Sequence, residues 1–136
     1  MGALTLLSPP ASAASASVST QLSIGQVQLG PLGASASVLL VFRCDPSLNV
    51  AYGDVSVTQE SGHKLAEGFG SFFNSFPGVP CTGASESLNV QVPASGGFAF
   101  KRGNKALASV DLNLFDPVSG QLSTTSITGQ AITITK

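Results

Sequence analysis

The residues able to do chemistry are few and widely spaced. His63 is the single histidine, Cys44 and Cys81 are the only cysteines, and Asp45, Asp54, Asp111 and Asp116 are the acids that could act in pairs. Serine hydrolysis needs an imidazole beside a hydroxyl held on a sharp turn, yet the many serines include no Gly-x-Ser-x-Gly stretch. His63, between Gly62 and Lys64, reads as a solvated turn residue. Glycoside hydrolysis asks for two carboxyl groups about 5 to 9.5 Å apart. The four aspartates are expected at or near strand ends, where acids serve turn chemistry. Calcium held by Asp45, Asp111 or Asp116 lacks the support of an Asp-x-Asp-x-Asp loop. One histidine and two cysteines without Cys-x-x-Cys spacing cannot assemble the usual four-ligand zinc site. No catalytic residue, metal ligand or cofactor is therefore expected, and the chain reads as non-catalytic.

The cysteines have two uses open to them: a disulfide in an exported protein, or two buried free thiols in a cytosolic one. The first agrees with the start of the chain. Met1 to Leu7 is short and apolar, Pro9 and Pro10 follow, and Ala11-Ser12-Ala13 and Ala14-Ser15-Ala16 supply the small side chains that signal peptidase requires. Residues 1–16 are expected to be a truncated signal peptide or a disordered leader, truncated because no basic residue precedes Arg43. Cleavage is expected after Ala13 or Ala16, leaving one domain over 17–136 that is secreted, extracellular or cell-surface associated. No apolar run reaches the roughly 18 residues of a transmembrane segment. In an exported chain a Cys44–Cys81 bridge would remove about 4 kcal/mol of unfolded-state entropy, less any strain.

Charge restricts the partners. Net charge is −1, only 10% of residues are charged, and Ser, Thr and Gly stand where Lys and Glu would cover an ordinary surface. Lys101, Arg102 and Lys105 form the one basic cluster, too few cations for nucleic acid, whose affinity grows with each phosphate neutralised. A hairpin tip kept soluble by charge is the plainer reading; contact with an anionic polymer is the other. Against this surface, GFGSFFNSFPGVPC places Phe69, Phe72, Phe73 and Phe76 in one short stretch. Adjacent Phe72 and Phe73 must face opposite ways in a strand, so one points away from the core. Two functions fit: a non-catalytic interaction or structural module whose partner is an extracellular protein or cell-surface component, or a carrier with an apolar cleft lined by Phe72, Phe73 and Phe76. Exposed rings favour the first, and a cavity of about 300 Å³ or more the second. The loop could also fold back and cap the core.

The elements that must position these residues are strands. Leu88, Val90 and Val92 alternate with polar neighbours, as do Val110, Leu112 and Leu114, and period two marks half-buried strands. Seven are expected: Val18 to Leu29, Ser35 to Cys44, Val50 to Gln59, Lys64 to Phe73, Glu86 to Val92, Lys105 to Phe115 and Leu122 to Thr135. Between them lie turn formers such as Asp45-Pro46-Ser47 and Ala94-Ser95-Gly96-Gly97. The apolar phase slips at Gly25, at Gly53-Asp54 and at Gly129, and each slip marks a bulge or a strand changing sheets. Seven short strands at this spacing predict an all-β, immunoglobulin-like two-sheet sandwich. In that order the second and fifth strands are antiparallel neighbours, which brings Cys44 near Cys81.

The succession VLLVFRC, VSVTQESGHKLAEGFG, CTGASESLNVQV and GGFAFKRGNKALASVDL resembles small secreted actinobacterial proteins with an immunoglobulin-like sandwich and no established activity. Cys44, Thr58, Gln59, Gly62, Cys81, Thr82, Gly83 and Phe100 carry the likeness. Gly103, Asn104, Lys105 and Ala106 fit with one extra residue before the alanine. The resemblance spans about Val38 to Leu114 and implies fold and compartment, with no catalytic residues to lend. A second cysteine pair near the end, frequent in such proteins, is missing here, and the Phe-rich insert from Phe69 to Phe76 is unusual for them.

Overall fold

Apolar and polar residues alternate along most of this chain, and a pleated backbone sends such neighbours to opposite faces. In the stretch Ser35–Arg43 burial follows that alternation at every step, with Ala36, Val38, Leu40 and Phe42 turned inward. The computed structural model describes residues 17–136, so the leader expected over 1–16 lies outside the described residues. The chain there is all-β: β1 (Gln21–Leu29), β2 (Ser35–Arg43), β3 (Asn49–Ser61), β4 (Lys64–Phe73), β5 (Val79–Pro80), β6 (Glu86–Ser95), β7 (Lys105–Phe115) and β8 (Leu122–Thr133), with one 3-10 turn at Pro31–Gly33.

Hydrogen bonding follows the path β1-β2-β6-β4-β3-β7-β8, antiparallel throughout, with β5 on the start of β3. The second and fifth long strands, β2 and β6, are neighbours as expected, pairing from Ser35↔Pro93 to Phe42↔Glu86. The two groups of strands, β1-β2-β6 and β4-β3-β7-β8 with β5, are the two sheets of the expected sandwich, and they are joined at their edges. Past Pro93, β6 crosses over and pairs with β4 through Ala94↔Gly68 and Ser95↔Glu67. On the other side the Thr135 N–H donates to the Val27 carbonyl and the Thr135 carbonyl accepts the Leu29 N–H, so the residues that follow β8 make a single parallel bridge to β1. The result is a flattened, nearly closed barrel whose two faces enclose one main core.

Phase slips in the sequence become bulges. The β1 register shifts between Ile24 and Val27, around Gly25. Near Gly129 the β7–β8 register shifts, where Ser109 stands against an extra residue and its hydroxyl accepts the Gly129 N–H at 2.9 Å. The middle slip differs from expectation: it falls between Val50 and Tyr52, leaving Ala51 unpaired, and not at Gly53-Asp54. Gly53 instead pairs with Phe72, whose ring occupies the space a β-carbon there would need. Boundaries also move. The expected fifth strand continues past Val92 to Ser95, because that segment carries the crossover, and the two-residue β5 is an element period two could not reveal.

Val38, Leu40, Val55, Val57, Val92 and Val110 are fully or almost fully buried in the main core, closed at one end by Phe100 and Ile134. A second cluster of Phe42, Val50, Leu112 and Leu114 packs on the Cys44–Cys81 disulfide, and Leu22, Phe72 and Leu88 touch both clusters. The bridge spans 5.5 Å between α-carbons, and both cysteines are buried. It does more than pin a loop to the end of one group of strands. Cys44 follows β2, while Cys81 follows β5, which is bonded to β3, so the link joins strands on opposite sides of the barrel.

Candidate functional site

At the disulfide end, residues 74–81 form a turn held at several points. The Asn74 side chain donates to the Val50 carbonyl at 3.0 Å, and buried Asn49 donates to the Pro77 carbonyl at 3.0 Å. The Asn74 N–H reaches Ala51 O and the Cys81 N–H reaches Leu48 O, at 2.8 and 2.9 Å. Each bond ties the turn to the start of β3, so its aromatic side chains project from a fixed backbone.

The four phenylalanines separate according to this geometry. Phe72 faces inward and packs between the two cores, whereas Phe73, its neighbour, is 76% exposed, so the expected opposition holds. Phe76 is 81% exposed and lies against Phe115, with ring centroids 5.2 Å apart and planes tilted by 57°. Such tilted pairs suit the ring quadrupoles. Phe69 is also exposed, but it stands opposite Ser56 on the outer face of β4, about 13 Å along the strand from Phe73.

Phe73 and Phe76 are joined by residues remote from them in the chain. Tyr52 is the cross-strand partner of Phe73, and Leu122 that of Phe115. With Pro77 they line an open groove of about 270 Å³. Phe72 takes no part in its walls. The signal for Phe115 was present, since it ends a strand just beyond the inward-facing Leu112 and Leu114, but only strand register shows what it meets.

Polar candidates are distributed differently. Asp54 and Asp111 do not lie at strand ends: they are register partners in mid-strand on the outward face, where Ser126 donates to Asp111 at 2.6 Å. Asp45 and Asp116 do serve turns. The Ser47 hydroxyl, the Val18 N–H and the Ser47 N–H hold the Asp45 carboxyl below its usual range. For Asp116 the Val118 and Ser119 N–H groups act in the same direction. His63 occupies the two-residue hairpin turn between β3 and β4, behind Gly62 at φ 65°. Among the described residues, no three His, Cys, Asp or Glu side chains come together as a metal site, and no helix is long and apolar enough to cross a membrane.

A contrast in stability follows from these positions. Phe73→Ser is expected to change unfolding free energy by less than about 1 kcal/mol, while Phe72→Ser should cost about 2 kcal/mol or more. Urea titration of the two variants checks this, and equal losses would mean that the Phe73 ring is packed. Comparison with protein-family models, curated proteins and solved structures gives no match for the chain.

Proposed function

We propose that this protein is a secreted, non-catalytic interaction module of immunoglobulin-like architecture, and that its partner is an extracellular protein engaged by the groove at the disulfide end. One observation carries this reading: Phe73, at the end of β4, and Phe76, on the turn that follows, are 76% and 81% exposed, and that turn is fixed by side-chain hydrogen bonds and the adjacent bridge. Aromatic rings provide large contact area, and a turn ordered in advance loses little entropy on binding. The resemblance to small secreted actinobacterial proteins supports the compartment, as does the disulfide, a bond that persists in oxidising surroundings. The carrier alternative draws on the same groove, whose 270 Å³ lies open and whose walls exclude Phe72.

The test is capture from the native cell surface with immobilised wild-type protein and with Phe73→Ser/Phe76→Ser. A protein retained by the first and lost from the second supports the module. Equal capture by both overturns it. Saturable one-to-one uptake of a fluorescent fatty acid, abolished by the double substitution, would assign the groove to the carrier instead.

A further inference from the structure

The other end of the barrel has a different chemistry. Lys64 opens β4, Lys101 and Arg102 follow the buried Phe100, Lys105 opens β7, and Lys136 lies beside Lys101 and Arg102, so five of the six cationic side chains gather there. Only Arg43 lies at the disulfide end, in the company of Asp45, Glu86 and Asp116. Two acids are nearby, Glu60 at the end of β3 and Glu67 three residues along β4 from Lys64.

Two apolar side chains stand among these cations. Leu32 is 98% exposed and holds φ 58°, a left-handed conformation that leucine seldom adopts. Phe98 is 42% exposed, with the Lys64 ammonium 5.8 Å from its ring centroid. Between Leu32 and Phe98 lies a shallow hollow, and on the far side of Leu32 an open concavity of about 620 Å³ is bounded by Leu29, Pro31, Lys101, Arg102 and Lys136.

Both loops are fixed. Gln59, 2% exposed, donates to the carbonyls of Lys101 and Asn104 at 2.8 and 3.2 Å and accepts the Lys101 N–H at 2.7 Å. The Leu32 turn is closed by Gly33 N–H to Gly30 O and Ala34 N–H to Pro31 O, and tied to the other loop by Phe100 N–H to Gly33 O. Apolar tips flanked by cations, Leu32 by Lys101, Arg102 and Lys136 and Phe98 by Lys64, on loops already held by hydrogen bonds, complement a surface that is anionic outside and apolar beneath.

We infer that this end docks on an anionic lipid surface, with Leu32 and Phe98 entering the headgroup boundary while Lys101, Arg102 and Lys136 meet lipid phosphates. A soluble polyanion would use the charges but give Leu32 no role. The inference is independent of the aromatic groove, which lies at the opposite end.

Cosedimentation of the full chain with phosphatidylglycerol vesicles, and with phosphatidylcholine vesicles, tests it. Wild-type protein should bind the first and not the second. Lys101→Gln/Arg102→Gln should weaken binding about 25-fold, at roughly fivefold per cation. Leu32→Gly, which suits the positive φ and so preserves the turn, should weaken it about tenfold. Phe73→Ser should leave it unchanged. No binding to anionic vesicles, equal binding to both vesicle types, or binding unaffected by Leu32→Gly overturns the inference; in the last case a polyanion site accounts for the charges. Loss on Phe73→Ser with retention in Leu32→Gly also overturns it, by moving the lipid contact to the groove.

Discussion

Replacing Cys81 with serine should lower the unfolding free energy by about 2–5 kcal/mol, a loss sufficient to threaten a domain of this size. The bridge closes a span of 37 positions between Cys44 and Cys81. Freed of it, the unfolded chain gains conformations, and the folded chain loses the bridge side chains on which Phe42, Val50, Leu112 and Leu114 pack. A polar hydroxyl replaces a sulfur in that buried cluster, which adds to the cost. The damage should be greatest at the disulfide end, because the turn carrying Phe76 would then depend on its hydrogen bonds alone. Denaturation midpoints of wild type and variant measure the loss. Thiol labelling of unfolded, unreduced wild-type protein should give no adduct. A midpoint within error of wild type, or two labelled cysteines, would show that the bridge is not part of the native state.

The class of fold and the bridge were legible in the sequence because both rest on local signals. Alternation in Ser35–Arg43 and Lys105–Phe115 reports a strand with one wet face, and the slips at Gly25 and Gly129 report bulges, since a single extra residue reverses the apolar set. Pairing of β2 with β6 then carries Cys44 toward Cys81. What escaped is set by contacts remote in sequence. Pro93 looked like the end of a strand, but it sits where β6 leaves β2 for β4, a place that asks less of a backbone N–H.

The candidate groove was legible only in part, for the same reason. Composition could single out Phe69, Phe72, Phe73 and Phe76 against a Ser/Thr/Gly surface, yet only Phe73 and Phe76 line the groove, and Tyr52, Phe115 and Leu122 join them through register across three strands. The cationic end was similarly divided. Lys101, Arg102 and Lys105 are adjacent in the chain, while Leu32 and Lys136 reach them only when the barrel closes. Gln59 and Phe100, by contrast, proved to hold the structure together: one anchors the cationic loop, the other seals the core.

Glycines show the same limit most sharply, and the second large effect follows from them. Gly68 and Gly70 alternate with exposed residues in β4, so their missing side chains would point into the barrel. A β-carbon on Gly70 would fall against the Gln91 carbonyl oxygen, and one on Gly68 against that of Pro93, each far inside contact distance. The neighbours are backbone, so no rotamer change can make room. Here β6 passes over β4 at close range, and the two glycines permit the crossing that joins the two sides of the barrel. Gly70→Ala should therefore cost about 2–4 kcal/mol by forcing β6 away from β4. Gly62→Ala is the matched comparison: nothing lies within 4 Å of its β-carbon site, and only its positive φ resists the change. That substitution should cost about 1 kcal/mol. Urea unfolding of both variants separates steric from conformational need, and hydrogen exchange at Ser95, which pairs with Glu67 of β4, should rise in Gly70→Ala alone. If Gly70→Ala proves no more costly than Gly62→Ala, the barrel does not depend on this close approach.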